Sequence, residues 1–343
     1  MTAAAPSSGV EEAVEEALTR ARSNHRERNW REAEKDARDV LREQPTNASA
    51  VFILANAVAD YGDVAEALRL YRDNIFANPQ YIWGYRALSD EYYSLGRLAE
   101  ATAIYRAWAR VQPENAEVQH MLAAITGADV PARCSTAYVS EHFNAFAAEF
   151  NDVLVRRLAY RGPEVVEAAL AKYQGDRAGT LDVLDAGCGT GLCGQRIRAH
   201  CRRLVGVDLA DGMIQSAREL ACYDELVVAD IDSFMASHPE AFDSIVSSDV
   251  FIYIGKLEET IAAAYQSLRP GGFLIFTAEA LEEVGDEPYR LTASGRYAHR
   301  DVYLRRVLAR SGFDLIELRG EWLRWENGSK VNFHCAVARK QSS

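Results

Sequence analysis

The chain has 343 residues, 48% hydrophobic and 26% charged, with a formal net charge of −12. That length is enough for two domains, each with its own core. No apolar run approaches the length that spans a bilayer, and Met1 to Gly9 lacks the basic and apolar stretches of a secretory signal, so the expectation is a cytoplasmic protein with no membrane partner. The acidic excess is spread over both halves of the chain, which argues against nucleic acid as the main partner. The six cysteines, at 134, 188, 193, 201, 222 and 335, show neither a Cys-x-x-Cys pair nor zinc-ligand spacing. They read as reduced thiols, and no metal is expected.

Residues 1–12 read as a flexible N-terminus, and residues 13–127 repeat. Pro45, Pro79 and Pro113 are each 34 residues apart, and Ala33, Ala67 and Ala101 keep the same step. Ala37, Tyr71 and Tyr105 keep it too, as do Val40, Asn74 and Trp108, while Gly62 and Gly96 fall at one turn position. Small residues at this step let paired antiparallel helices approach closely, and the larger ones fill the grooves between them. The pattern resembles the tetratricopeptide repeat (TPR), with three repeats starting near Val14, Ala48 and Ile82 and a capping helix from Ala116 to Thr126. Two uses stay open. The repeats are a stabilising or self-associating arm, or they form a concave face that recruits a peptide or substrate-carrying partner. Candidates to line such a face are Asn24, Asn56, Tyr61, Asp90 and Tyr93.

Residues 128–135, punctuated by Pro131, read as a linker to a second domain over 136–343. From Thr136 to Ala159 apolar residues recur at helical spacing, including Val139, Phe143, Phe150 and Leu154. This is a core helix or a lid over a ligand. The stretch from Tyr160 to Pro163 breaks it, and Pro163 suits the first turn of a further helix reaching Lys172. Strands are predicted at 181–186, 203–208, 225–229, 243–248, 272–278, 313–319 and 331–339. Helices fall between them near 191–200, 211–221, 256–268 and 299–311. Such alternation implies a mainly parallel, doubly wound sheet that binds ligands at the carboxyl ends of its strands.

Those strand ends carry the chemistry. The first strand ends at Asp185, followed by Gly187, Gly189 and Gly191, where absent side chains allow a ligand close to the backbone. The second ends at Asp208, suited to a ribose diol, with Met213 after it to lie against an adenine. The third leads to Asp230 and Ile231, where a carboxylate can accept from an adenine amino group. The fourth ends at Ser248 and Asp249, and the fifth is preceded by a turn, Pro270-Gly271-Gly272. A nicotinamide dehydrogenase is the competing reading, but its Gly-x-Gly-x-x-Gly loop would place the third glycine one residue later.

From about Ser135 to Lys340 this set resembles the class I S-adenosylmethionine-dependent methyltransferases, and within them those with N-terminal TPR repeats. Phe143 with Phe150, Tyr160 to Pro163, Asp249 to Gly255, Ser294 to His299, and Leu323, Arg324 and Glu326 carry the closer resemblance. It implies an α + α/β fold, a TPR helical array followed by a Rossmann-like seven-stranded methyltransferase domain. It also implies S-adenosyl-L-methionine as cofactor and S-adenosyl-L-homocysteine as product. Phe150, Tyr160, Asp185, Gly187, Gly189, Gly191, Asp208, Leu209, Met213, Asp230, Ile231, Ser248 and Asp249 are the implied cofactor-binding residues.

In methyl transfer the donor is already activated, so the protein chiefly aligns acceptor, methyl and sulfur. A base is needed where the acceptor must lose a proton. Asp249, Tyr253 and His299 are the candidate catalytic groups, His299 because an imidazole titrates near neutrality. Arg296, Tyr297 and Arg324 are candidate acceptor contacts, the arginines suiting a carboxylate or serving as salt-bridge partners. The strand-four end lacks an Asn-Pro-Pro-Tyr-like motif, which lowers the odds of base or glutamine N-methylation. The first expectation is a small-molecule acceptor methylated at oxygen or nitrogen. The second is a peptide or carrier-bound acceptor brought by the repeats, and the third is an interaction protein that only senses the cofactor.

Overall fold

A computed structural model describes residues 8–146, 159–282, 285–326 and 328–342. The chain divides into two compact units, Met1–Leu122 and Ala123–Ser343. The first unit is helical. Its helices are α1 (Ser8–Arg26), α2 (Trp30–Glu43), α3 (Ala48–Asp60), α4 (Val64–Ala77), α5 (Ile82–Ser94) and α6 (Leu98–Val111), and α7 (Ala116–Thr126) begins within it. Each of α1 to α5 packs on the next. The 34-residue step is visible as burial, with Ala33, Ala67 and Ala101 fully buried and Tyr71, Tyr105 and Trp108 filling the spaces beside them. Side-chain caps start three of the helices: Asn47 accepts from Ala50 N–H at 3.0 Å, Asp63 from Glu66 N–H at 3.1 Å and Asn115 from Val118 N–H at 3.1 Å. Gly62 and Gly96 both take positive φ, +102° and +70°, where α3 and α5 end. Helix α1 begins at Ser8, inside the stretch expected to be flexible (1–12), with Glu11 in a first turn whose free N–H groups favour an acid.

The second unit holds a sheet with helices packed against it. In chain order it comprises α8 (Thr136–Phe146), α9 (Gly162–Gln174), β1 (Leu181–Ala186), α10 (Leu192–Ile197), β2 (Cys201–Asp208), α11 (Asp211–Glu219) and β3 (Glu225–Val228). Then come α12 (Ile231–Ala236), β4 (Phe242–Ser247), α13 (Glu258–Ser267), β5 (Leu268–Ala280), β6 (Tyr289–Leu291), β7 (Tyr297–His299), α14 (Asp301–Arg310), β8 (Phe313–Glu326) and β9 (Ser329–Lys340). Strands β3, β2, β1, β4 and β5 run parallel in that spatial order. Strand β9 pairs antiparallel with β5, and β8 with β9. Every residue of β1 and β4 is buried, as befits central strands covered on both faces.

Those seven strands meet the expected count, but the sheet has nine. The added pair is the antiparallel β6 and β7, and β7 continues the sheet beside the far end of β5. Three residues each are too few to show a period in sequence. The six-residue α12 was likewise not predicted. The Pro-Gly-Gly turn expected before the fifth strand lies inside β5, as an irregularity opposite Phe242 and Ser244 with Gly271 at φ +78°. The expected linker (128–135) is no free tether either. Arg133 forms an antiparallel bridge to Ile254, and Cys134 N–H donates to Tyr253 O at 2.8 Å.

Candidate active site

A cavity of about 340 Å³ opens where the parallel strands end. Asp185, at the end of β1, is buried; its Oδ2 accepts from Tyr223 O–H at 2.7 Å, and its Oδ1 is buried with no hydrogen-bond partner among the described residues. Burial pushes its carboxyl up to about 7, against the Tyr223 hydrogen bond that pulls it down; the Asp208 charge adds to the rise. The loop that follows is held by Gly187 and Cys188 N–H donating to Val207 O, and Gly187 has φ +79°. A Cβ on Gly187 would overlap the Val250 methyls, so chain and cavity wall meet there at glycine distance.

Asp208, at the end of β2, accepts from Gly189 N–H on Oδ2 and Ala210 N–H on Oδ1, both at 2.9 Å. Burial raises its pKa, and the backbone amides oppose the rise. The Leu209 amide is a third backbone donor to this carboxylate, which has about four acceptor positions in all. Leu209, Met213, Asp230 and Ile231 continue the wall. Asp230 caps α12 through Ser233 N–H at 3.1 Å and pairs with Arg133 at 2.8 Å. Tyr160 lines the cavity with its hydroxyl 2.8 Å from Ser248 Oγ.

At the other end lie Ser248, Asp249, Tyr253, Arg296 and Arg324. Asp249 has φ +60°, a left-handed conformation that is strained for a side-chain-bearing residue, and its N–H is anchored on Thr277 Oγ1 at 2.8 Å. Arg324, 1% exposed, donates to Asp249 Oδ1 and Glu279 Oε2, both at 2.9 Å, and to Glu326 Oε2 at 3.4 Å. Arg296 donates to the same Glu326 oxygen at 2.6 Å. Burial alone would push Glu326 up, but Arg296 and Arg324 outweigh it and hold it below the usual carboxylate range. Burial pushes Glu279 up despite Arg324. Tyr253 is pushed up to about 12 by burial, so its phenol stays protonated at neutral pH, and its ring meets Phe143 edge-on at 5.4 Å.

Most of the expected site residues line this one cavity, but several differ in position or task. Gly191 lies outside the lining. It precedes α10 at φ +91°, and a Cβ there would press on Leu220. Tyr297 is fully buried off the cavity, donating to Pro131 O at 2.6 Å. His299, a candidate base, is instead a structural residue. It is fully buried away from the lining, its Nε2 lies 2.9 Å from Ile254 O, and burial lowers its pKa to about 4. A carbonyl contact requires the proton on Nε2, so that nitrogen is a donor there. Arg296 and Arg324 face the cavity already paired with acids. Phe150 lies outside the described residues. Tyr223, Arg133 and Glu279 were missed. Only Glu279 left a readable signal, as an acid near the end of a predicted strand.

The donor set suits a nucleoside sulfonium. It offers a glycine-backed loop, a buried carboxylate at Asp185 with one oxygen unpartnered among the described residues, and a second acidic acceptor at Asp208. Residues 184–276 match the family model described as a methyltransferase domain. The chain is 35% identical over 107 residues to the malonyl-[acyl-carrier protein] O-methyltransferase of Serratia marcescens, covering 30% of this chain and 42% of that protein. It is 31% identical over 142 residues to the protein of the same name from Enterobacter lignolyticus, covering 41% and 55%. The chain thus spans about half the length of these curated relatives. The crystal structure of the [4+2]-cyclase SpnF aligns with TM-score 0.50 and 17% identity over 62% of this chain and 98% of that one, which speaks to fold alone. Within the second unit, residues 184–276 thus match a methyltransferase domain on a Rossmann-like sheet, and the similarity supports an enzyme with S-adenosylmethionine as cofactor. Among the described residues no helix is long and apolar enough to cross a membrane.

Proposed function

We propose that the protein transfers a methyl group from S-adenosyl-L-methionine to an oxygen of a small-molecule acceptor, releasing S-adenosyl-L-homocysteine. The observation that carries this reading is one continuous cavity running from Asp185, Asp208 and Asp230 to Asp249, Tyr253 and Arg296. When bound, the cofactor supplies a methyl already activated on a sulfonium. The chain's part is alignment, which is worth on the order of 7–11 kcal/mol of a barrier. Asp208 holds the ribose hydroxyls, Asp230 the purine edge, and Asp185 the ammonium of the amino-acid tail. Asp249 has one oxygen fixed by Arg324. The other, Oδ2, is the group that takes a proton from a hydroxyl acceptor. Arg296 and the protonated Tyr253 orient the acceptor. Calorimetry with S-adenosyl-L-homocysteine is the test. The native protein should bind it, and Asp208→Ala should bind at least about tenfold more weakly, because charge-assisted hydrogen bonds are lost. Unchanged affinity would remove Asp208 from the ribose site.

A second reading is favoured by the names of the curated relatives, which act on a malonyl group borne by a carrier protein, and by the helical first unit. In it, residues 13–127 form a TPR array that presents a carrier-bound or peptide acceptor. Removal of residues 1–122 separates the two. If the truncated enzyme still binds S-adenosyl-L-homocysteine and keeps full turnover, recruitment by the helical unit is excluded.

A further inference from the structure

The stretch that looks like a linker contributes a side chain to the cavity. Arg133 lines it beside Asp230 and Ile231. The backbone on both sides of this arginine is fixed: Ala132 O accepts from Gly255 N–H at 2.9 Å and Lys256 N–H at 2.8 Å, and Cys134 N–H donates to Tyr253 O at 2.8 Å. Tyr297 O–H donates to Pro131 O at 2.6 Å. The guanidinium then spans two carboxylates at the start of α12, with Nη2 2.8 Å from Asp230 Oδ2 and Nη1 2.9 Å from Asp232 Oδ2. Thr260 Oγ1 donates to the same Asp232 oxygen at 3.0 Å. Asp230 is therefore gripped on both sides, Oδ1 by Ser233 and Oδ2 by Arg133.

This arrangement matters for the direction of a hydrogen bond. Two carboxylates two residues apart repel each other, and a planar fork between them removes the repulsion while fixing both. The Asp230 oxygen that takes Arg133 has a second lone pair left. With Arg133 and the α12 turn donating to it, this carboxylate is held still as an acceptor. It suits a purine that presents an exocyclic amine and opposes one that presents a carbonyl.

We propose that Arg133 is a positioning residue for purine recognition: by fixing Asp230 as an oriented acceptor, it makes the cavity select a 6-amino over a 6-oxo purine. The proposal rests on the S-adenosylmethionine reading of the site. Its test is calorimetry on the full chain with S-adenosyl-L-homocysteine and with S-inosyl-L-homocysteine, which has oxygen in place of the amino group. The native protein should prefer the first by more than tenfold. Arg133→Gln should lose at least fivefold in affinity for S-adenosyl-L-homocysteine while affinity for the inosyl compound changes less than twofold. Where that variant does not fold, Arg133→Lys serves, since one ammonium cannot span both carboxylates; selectivity should fall at least threefold. An equal loss for both ligands would mean that the strap only keeps the pocket in shape, and would overturn the proposal, as would no loss for either. A native protein that binds neither ligand takes down the cofactor reading and this proposal together. One that binds both equally sinks this proposal alone.

Discussion

At the cofactor end of the cavity the facing groups sit where consecutive parallel strands stop, and each has its own partners. Asp185 is held by Tyr223, Asp208 by the amides of Gly189 and Ala210, and Asp230 by Arg133 and the first turn of α12. At the acceptor end the groups come from distant stretches and partner one another: Asp249 after β4, Glu279 in β5, Arg296 before β7, and Arg324 and Glu326 in β8. The first arrangement lets single residues be altered with confined consequences. The second is a network of two cations and three acids, where removal of one member leaves the others buried and unmatched, and effects do not add.

Arg324 is where that contrast is largest. Arg324→Met should destabilise the protein by about 3–5 kcal/mol, because Asp249 and Glu279 lose their buried counter-charge. The loss should shrink at acid pH, where carboxylates accept protons, and equilibrium urea unfolding at two pH values measures both. A cost under about 1 kcal/mol would mean that the network has another means of neutralising its acids.

His299, off the cavity, and Asp249, on its lining, separate structure from chemistry. The folded-state value of His299 lies near 4 and its unfolded value near 6.5, so between those limits the unfolded chain binds more protons and stability falls as pH drops. The contribution reaches about 3 kcal/mol at the bottom of that window. His299→Gln should flatten this limb of the stability profile and leave kcat within about twofold at pH 8. Asp249→Asn should do the reverse, lowering kcat by about 100-fold as a lost general base does, with S-adenosyl-L-homocysteine affinity within threefold of native. A larger kcat loss in the histidine variant than in the aspartate variant would exchange their roles.

Much of the cofactor end was readable because its chemistry is collinear with the chain. An acid, a glycine loop and the next acid each follow a hydrophobic run, and the end of every parallel strand lies at the same edge of the sheet. The alanine step in the first unit was readable because the same contact recurs every 34 residues and is buried each time. The acceptor end was not legible in this way. That Arg324 and Glu326 meet Asp249 and Glu279 depends on β8 pairing with β9 and β9 with β5, a long-range register that no local pattern encodes. His299 looked like a base because its surroundings are tertiary; burial under Tyr289 and Tyr303, not composition, sets its protonation. Arg133 looked like part of a linker because proline and glycine mark irregular backbone, whether it dangles or is pinned.

Asp185 tests how separately the groups of the cofactor end act. Its carboxyl, with Oδ1 buried and unpartnered among the described residues, has a value near 7. A ligand ammonium placed against it would favour the charged form and lower that value, so binding below pH 7 must expel a proton. Affinity for S-adenosyl-L-homocysteine should therefore level off above pH 7 and fall as pH drops beneath it, by at most about tenfold per unit for one proton. The stability consequence has its own sign. A folded value raised above the unfolded one means that the folded chain binds more protons between about 4 and 7, so stability is lost as pH rises through that window. Asp185→Asn should remove both dependences, weakening binding above pH 7 while stabilising the unliganded protein there. If affinity stays flat from pH 5.5 to 8 in the native protein, Asp185 faces no cationic group, and its burial serves the Tyr223 contact alone.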